Sequence, residues 1–168
     1  ESQEGCELEL VPQGDEEEVR ANPEMARLRS QVTAADIARD RHAMAVLTYR
    51  DARAAIAFLR DAFGFTERAA YAREDDPSII EHAEMRWPLG GGVMFGSAGK
   101  DDGPFGSRAT GNDCVYVVCD DPDGLFERAT AAGATVVRGL ADEDYGSRGF
   151  TVRDPEGNLW SFGTYAGD

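Results

Sequence analysis

Histidine is scarce in this chain, which limits the acid–base and metal chemistry that the sequence can support. The 168 residues include only two histidines, His42 and His82. Glu84 follows His82 by two positions, and in a β-strand that spacing places both side chains on one face of the sheet. Such a pair can bind a metal ion or act as a general base, but it is more often solvated or hydrogen-bonded. His82 and Glu84 are therefore only the weaker alternative for a metal site.

Cysteine chemistry is equally limited. The three cysteines, Cys6, Cys114 and Cys119, are an odd number without CxxC spacing, which indicates neither a disulfide framework nor a structural zinc site. Cys114 and Cys119 lie in or beside an apolar run typical of a strand, so we expect buried free thiols there. We find no Ser, His and Asp arrangement, no phosphate-binding glycine loop, and no histidine placed to activate Cys114.

The composition indicates a cytoplasmic protein whose partners are not polyanions. Acidic side chains number 32 and basic ones 17, and the resulting net charge of −15 disfavours nucleic acid and anionic membrane surfaces. No apolar run approaches the length of a membrane span, and the acidic N-terminus lacks the basic start and apolar centre of a signal peptide. Hydrophobic residues make up 42% of the chain, enough for the core of one domain.

Residues 1–42 differ from the rest of the chain. They are predicted to form an acidic N-terminal extension that is partly helical, with one short strand and a helix over 23–42. The extension could pack an amphipathic helix on the domain or on a neighbouring subunit, or it could be the remnant of an upstream domain. The sequence leaves these alternatives open.

The remaining chain contains one pattern of elements twice. The segment MAVLTYRD at 44–51 aligns with CVYVVCDD at 114–121, and in both copies an Asp is placed to cap an Ala-rich helix that a Gly ends. Later, VMFG at 93–96 aligns with WSFG at 160–163. Three strands are predicted after the first helix, at 65–73, 79–87 and 92–97. The order is thus βαβββ, and a linker over 99–113 separates the two copies.

The second copy ends in a predicted hairpin. Residues 149–153 and 159–165 have the alternation of strands, and DPEGN at 154–158 supplies the turn between them. The module order and this turn resemble the vicinal oxygen chelate superfamily, which groups glyoxalases, bleomycin-resistance proteins and extradiol dioxygenases. The resemblance covers about residues 43–166.

The resemblance implies an α+β fold. Two tandem βαβββ modules would form an incomplete eight-stranded barrel with both helices outside and a cleft inside. Module one would be residues 43–98 and module two residues 114–166, within a domain of 43–168. One module alone would leave an open edge and an uncovered face, so we expect the two to pair. Members of the superfamily often dimerise, so a homodimer is also expected.

Metal-dependent members of the superfamily resemble one another in placing ligands, mostly His or Glu, in the first and last strand of each module. The matching positions here hold Met44 and Met94 in module one and Cys114 and Ser161 in module two. None of these side chains is a hard ligand. The resemblance therefore implies a metal-free member without a cofactor.

The cleft is expected to be apolar with a few polar groups. Because side chains alternate along a strand, the neighbours two positions from each ligand position share its face. The predicted ligand-binding residues are Met44, Val46, Thr48, Met94, Cys114, Tyr116 and Ser161, with Arg148 from the region before the hairpin. The residues expected to face the helices are Leu47, Val117, Trp160 and Phe162, which makes Trp160 a core residue rather than a stacking platform.

These patterns favour a small-molecule binding protein of the glyoxalase and bleomycin-resistance type, which holds an apolar or aromatic ligand in its cleft. One alternative is a lyase, isomerase or dioxygenase of the same superfamily that uses a non-standard site. Another is an interaction or regulatory module with a vestigial cleft. The sequence does not identify the ligand.

Overall fold

The element order in the structure is βαβββ, twice. The computed structural model describes residues 44–100 and 103–167, so the strand and helix predicted within 1–42 lie outside it. The elements are β1 Met44–Tyr49, α1 Ala52–Phe58 continuing as a π-helical segment Leu59–Phe63, β2 Thr66–Ala72, β3 Ile80–Arg86, β4 Gly92–Ser97, β5 Cys114–Val118, α2 Pro122–Ala131, β6 Thr135–Asp142, β7 Arg148–Arg153 and β8 Leu159–Gly163. The predicted bounds of the strands agree with these to within one or two residues.

Each module forms its own four-stranded sheet. The strand orders are β1-β4-β3-β2 and β5-β8-β7-β6, so the two sheets have the same topology. The first and last strands of each module pair in parallel, and the other pairs are antiparallel. The α+β class and the two βαβββ modules are confirmed. The eight strands do not close into a barrel, because no ladder within the described residues joins one sheet to the other.

Both helices begin and end where the sequence predicted. The carboxylate of Asp51 accepts a hydrogen bond of 2.9 Å from the amide of Ala54, and Asp121 accepts one of 3.0 Å from Gly124. These bonds satisfy amide groups that have no partner within the first turn of a helix. Gly64 ends the first helix with a φ of 87°, a left-handed conformation that side chains with a Cβ rarely adopt.

The core lies on the side of the sheets that carries the helices. Leu47, Val117, Trp160 and Phe162 are all buried, as the strand alternation predicted. The ring of Phe63, at the end of the first helix, lies 4.8 Å from that of Phe162 and 5.3 Å from that of Trp160. Trp160 is therefore a core residue, and module one supplies aromatic contacts to the last strand of module two.

Two polar contacts also cross between the modules. The indole nitrogen of Trp87 donates to the carbonyl oxygen of Val118 at 2.8 Å. Arg128 of α2 donates to the carbonyl oxygens of Arg60 and Asp61, each at 2.8 Å, near the end of the first helix. The carbonyl oxygen of Arg60 also accepts from the amide of Gly64 at 3.1 Å, so the arginine adds a second donor there and, from the other module, supplies one to Asp61 near the helix C-terminus.

The DPEGN turn also joins the two modules through hydrogen bonds. The buried carboxylate of Asp154 accepts hydrogen bonds from the hydroxyl of Tyr49 at 2.7 Å and the indole of Trp160 at 3.1 Å. It also accepts three bonds of 3.0 Å, from the backbone amide of Glu156 and from the backbone and side-chain nitrogens of Asn158. Burial, and then Asp154, raise the pKa of Tyr49, so its hydroxyl stays a proton donor.

Glu156 of the same turn holds the start of the first helix. Its two carboxylate oxygens accept hydrogen bonds from the backbone amides of Arg50 at 2.7 Å and Asp51 at 2.8 Å. The negative charge of this carboxylate, at the N-terminus of α1, also interacts favourably with the helix dipole. The last hairpin of the chain therefore fixes both the end of β1 and the beginning of α1.

Within the described residues, every helix is too short or too polar to cross a lipid bilayer.

Replacing Asp154 with Asn is expected to destabilise the domain. The substitution keeps the size of the side chain but removes the charge and puts an amide N–H₂ where one acceptor oxygen stood. Hydrogen bonds to charged groups are worth about 1.5–3 kcal/mol each, so the free energy of unfolding in urea should fall by roughly 2–3 kcal/mol. Asp144→Asn, at an exposed position, is the matched control and should change little. Equal stability of the two variants would contradict the role of Asp154.

Candidate functional site

The outer face of the first sheet exposes apolar side chains. Met44 and Val46 lie on β1 and are 37% and 39% exposed, whereas Leu47 between Val46 and Thr48 is 2% exposed. Strand register places Val46 opposite Met94 of β4, and Met94 opposite Glu84 of β3. These side chains face away from the core, as the alternation predicted. Isolated exposed apolar residues are common, but here they lie on adjacent strands.

A cavity of about 310 Å³ opens on this face. It is lined by Val46, Leu47, Thr48, Glu81, His82, Met94, Phe95, Gly96, Ser97, Lys100 and Phe105. Three of the predicted ligand-binding residues, Val46, Thr48 and Met94, therefore lie together. Leu47, Phe95 and Ser97 are buried on the core side of their strands. Thr48 is on the outer face but is only 6% exposed, so the side chains most available to a ligand are the others on that face.

Glu81, Lys100 and Phe105 line the cavity although the sequence analysis did not predict them. Phe105 belongs to the segment interpreted as a linker and is 60% exposed. It is the one large apolar residue between 99 and 113, a signal that could have singled it out. An aromatic ring held over a cavity by a loop is suited to contact a bound apolar molecule.

Lys100 and Glu81 form the charged edge of the cavity. The ammonium group of Lys100 donates to the carbonyl oxygen of Glu81 at 2.6 Å and lies 3.4 Å from its carboxylate. Hydrogen bonds from Arg73 and then Lys100 lower the pKa of Glu81, so the carboxylate is charged at neutral pH. The side chain of Lys100 is only 9% exposed, and its charge is balanced by this carboxylate.

His82 and Glu84 are hydrogen-bonded to each other. The Nε2 atom of His82 lies 2.9 Å from Oε1 of Glu84, and the His82 ring stacks on Tyr71 with 6.4 Å between centroids. The hydrogen bond with His82 is the main cause of the lowered pKa of Glu84. The two side chains do lie on one face, as their spacing predicted, and His82 borders the cavity.

Met44 lies on β1 of the first sheet but does not line this cavity. The other predicted ligand-binding residues lie on the second sheet, and none of them lines the cavity either. Tyr116 is 51% exposed and donates to the carbonyl oxygen of Tyr165 at 2.9 Å. The hydroxyl groups of Ser161 and Thr151 are 2.9 Å apart. Cys114 is exposed, so the prediction that it is a buried thiol is wrong, because it lies at the outward-facing start of β5.

Arg148 is engaged by acidic side chains. Its guanidinium donates two hydrogen bonds to Asp123, at 2.7 Å and 2.8 Å, and one of 3.0 Å to Asp142. These hydrogen bonds, with Asp123 first, raise the pKa of Arg148. The sequence could not have found these partners, since Asp123 lies on the helix of the module and Asp142 at the end of a different strand.

The four positions that match metal ligands in the superfamily do not fit a divalent metal ion. Met44 and Met94 lie on the first sheet, and Cys114 and Ser161 lie on the second. Two thioethers, a thiol and a hydroxyl are not the nitrogen and carboxylate donors that zinc, iron or manganese prefer. Across residues 44–100 and 103–167, no group of three or more His, Cys, Asp or Glu side chains is placed to hold a metal ion.

The two described thiols are expected to react at different rates. Cys119 is 3% exposed, and burial, followed by the charges of Asp120 and Asp121, raises its pKa to about 11. Since the thiolate is the reactive form, iodoacetamide at neutral pH should label Cys114 at least about tenfold faster than Cys119. The measurement is peptide mapping in a Cys6→Ser background, which removes the third thiol. Labelling of Cys119 should accelerate as the pH approaches 11. Equal rates at neutral pH would show that Cys119 is accessible.

The chain is similar to several proteins of known structure. TioX from Micromonospora sp. ML1 is 33% identical and superimposes with a TM-score of 0.61, over 73% of this chain and 98% of TioX. A glyoxalase/bleomycin resistance protein/dioxygenase family enzyme from Burkholderia phytofirmans PsJN is 21% identical with a TM-score of 0.53, covering 71% of this chain and 94% of that one. At that identity the likeness shows the fold alone.

A curated relative matches over a shorter stretch. The uncharacterized protein Mb0911c of Mycobacterium bovis is 45% identical over 49 residues, which are 29% of this chain and 32% of the relative. The match thus spans about a third of that protein's length. The family model described as Glyoxalase/Bleomycin resistance protein/Dioxygenase superfamily matches residues 41–162. The chain therefore belongs to the glyoxalase, bleomycin resistance protein and dioxygenase superfamily.

Proposed function

We propose that this chain is a small-molecule binding protein that holds an apolar or aromatic ligand in the cavity on the outer face of the first sheet, without a metal ion. The observation that carries the proposal is the placement of Val46, Met94 and Phe105 around one cavity. These side chains come from two paired strands and a loop, so their convergence is a product of the fold. An apolar ligand would remove their exposed surface from water.

The size and lining of the cavity support a ligand of one or two rings. A volume of about 310 Å³ is at the lower end of the usual range for small-molecule sites, roughly 300–1,000 Å³. Burial of apolar surface contributes about 25 cal/mol per Å², so a fused aromatic ring pressed between Val46, Met94 and Phe105 could gain several kcal/mol. Thr48, His82 and Lys100 supply polar groups to the lining. His82 is 43% exposed whereas Thr48 and Lys100 are 6% and 9% exposed, so His82 is the best placed of the three to orient a ligand.

A second candidate is an enzyme of the same superfamily, a lyase or isomerase that uses His82 with Glu84 as its acid–base pair. The observation that favours it is the hydrogen bond of 2.9 Å between these side chains beside the cavity. A carboxylate that orients a histidine is the usual arrangement for a general base. Turnover of a bound compound, rather than its recovery unchanged, would distinguish this candidate from simple binding.

Filling the cavity, or placing a charge in its wall, is expected to weaken binding. Met94→Trp places a bulky ring on the outer face, and Val46→Lys puts a charge in the apolar wall. Both should raise the Kd for naphthol, the simplest fused-ring probe, by roughly tenfold or more, since each 1.4 kcal/mol lost is a factor of about ten. Isothermal titration calorimetry on the full chain measures this directly.

Leu89→Trp is the matched control. Leu89 is 52% exposed and does not line the cavity, so this variant should bind naphthol like the unmodified chain. Treatment with EDTA should leave the affinity unchanged if no metal takes part. Loss of binding after chelation, with recovery on adding Zn²⁺ or Ni²⁺, would contradict the metal-free site. Unchanged binding by Met94→Trp would place the ligand elsewhere on the chain.

A further inference from the structure

The hydrogen bond between His82 and Glu84 determines which ring nitrogen of the histidine carries a proton. An ionised carboxylate can only accept hydrogen bonds. The bond from His82 lowers the pKa of Glu84, so the carboxylate is ionised at neutral pH. Nε2, which lies 2.9 Å from Oε1 of Glu84, must therefore be the N–H donor of this pair. In a neutral imidazole the other nitrogen, Nδ1, is then a hydrogen-bond acceptor.

His82 lies at the edge of the cavity. Within residues 44–100 and 103–167, the bond with Glu84 is the one hydrogen bond that the His82 side chain makes. The ring borders the cavity together with Val46 and Met94, and its side chain is 43% exposed. The ring of Tyr71 lies beside the imidazole, with 6.4 Å between centroids and 21° between the ring planes. The histidine that carries this acceptor thus borders an apolar surface.

From this geometry we infer that Nδ1 of His82 accepts a hydrogen bond from the ligand, which selects aromatic compounds that carry an O–H or N–H group, such as phenols. The inference rests on the proposed function and names the ligand class for the same cavity. A hydrogen-bond acceptor that loses its water and gains no partner costs affinity. An aromatic hydrocarbon or an aryl ether would leave Nδ1 in that state, whereas a phenol would satisfy it.

The tautomer can be tested without any ligand. A long-range proton–nitrogen correlation spectrum of isotopically labelled protein, recorded at mildly alkaline pH, distinguishes the protonated from the unprotonated ring nitrogen. His42→Gln removes the second histidine and so assigns the signals. The expected result is a proton on Nε2 and none on Nδ1. A proton on Nδ1 would overturn the inference.

The ligand class is tested with naphthol and methoxynaphthalene, which differ in a single donor group. The unmodified chain should bind naphthol about fivefold to tenfold more tightly, the value of one ordinary hydrogen bond. His82→Phe should abolish that preference while still binding both compounds. Glu84→Gln should weaken it, because an amide can donate as well as accept and no longer fixes the tautomer. Glu67→Gln, an exposed position on β2, should keep the preference.

The outcomes separate the inference from the function on which it rests. Equal affinity for the two compounds, lost for both in Met94→Trp, would retain the apolar binding site and overturn the role of His82. A preference for naphthol that persists in His82→Phe would also overturn it. Absence of binding by either compound would overturn the binding function and this inference together.

Discussion

The buried carboxylate of Asp154 is the interaction on which the arrangement of the two modules depends. A charge with 4% exposure is costly unless its oxygens are fully hydrogen-bonded, and here five donors surround it. The donor from module one is Tyr49, at the end of β1. Because the side chains of β1 alternate, fixing Tyr49 on the core side directs Val46 and Thr48 to the outer face. The last turn of the chain thus helps to form a cavity built from the first module.

Local patterns were enough to predict the helices and strands and their order, because each pattern is decided by neighbouring residues; the arrangement of the two modules was implied by the family resemblance. Asp51 and Asp121 cap helices through amides three positions away, and Gly64 ends a helix through its own φ angle. Trp160 could be assigned to the core because strand alternation is strict wherever one face is buried. The internal repeat then showed that the same unit occurs twice, which composition alone does not reveal.

The site was predicted only in part, since it depends on contacts between residues distant in sequence. Val46, Thr48 and Met94 follow from alternation, and they do lie together. Phe105 and Lys100 lie at the cavity because of the path of the loop between β4 and β5. The periodicity of helices and strands does not predict the path of a loop. Arg148 was expected at the cleft from its position before the hairpin, but Asp123 and Asp142 bind it. A single sequence does not show which charged side chains on different strands and helices pair with each other.

The outer faces of the two sheets differ, because equivalent positions of the repeat hold different side chains. Met94 and Ser161 occupy equivalent places in the repeat, yet Met94 lies opposite Val46 whereas Ser161 lies opposite Tyr116 and bonds to Thr151. An apolar ligand gains free energy from the first surface, whereas at the second it would cover hydroxyl groups and have to satisfy them. The sheets share a topology, but a ligand of this class would be held by the first.

Electrostatics also bears on the charge of the proposed ligand. The whole chain carries a net charge of −15, and such a field disfavours the approach of anions. At the cavity itself, the charge of Lys100 is compensated by Glu81, at 3.4 Å, so there is little net attraction for a carboxylate or a phenolate. An acceptor at Nδ1 of His82 would also repel an anionic oxygen, which has no proton to donate. Both the long-range field and the proposed acceptor at His82 would therefore favour a neutral phenol over its phenolate.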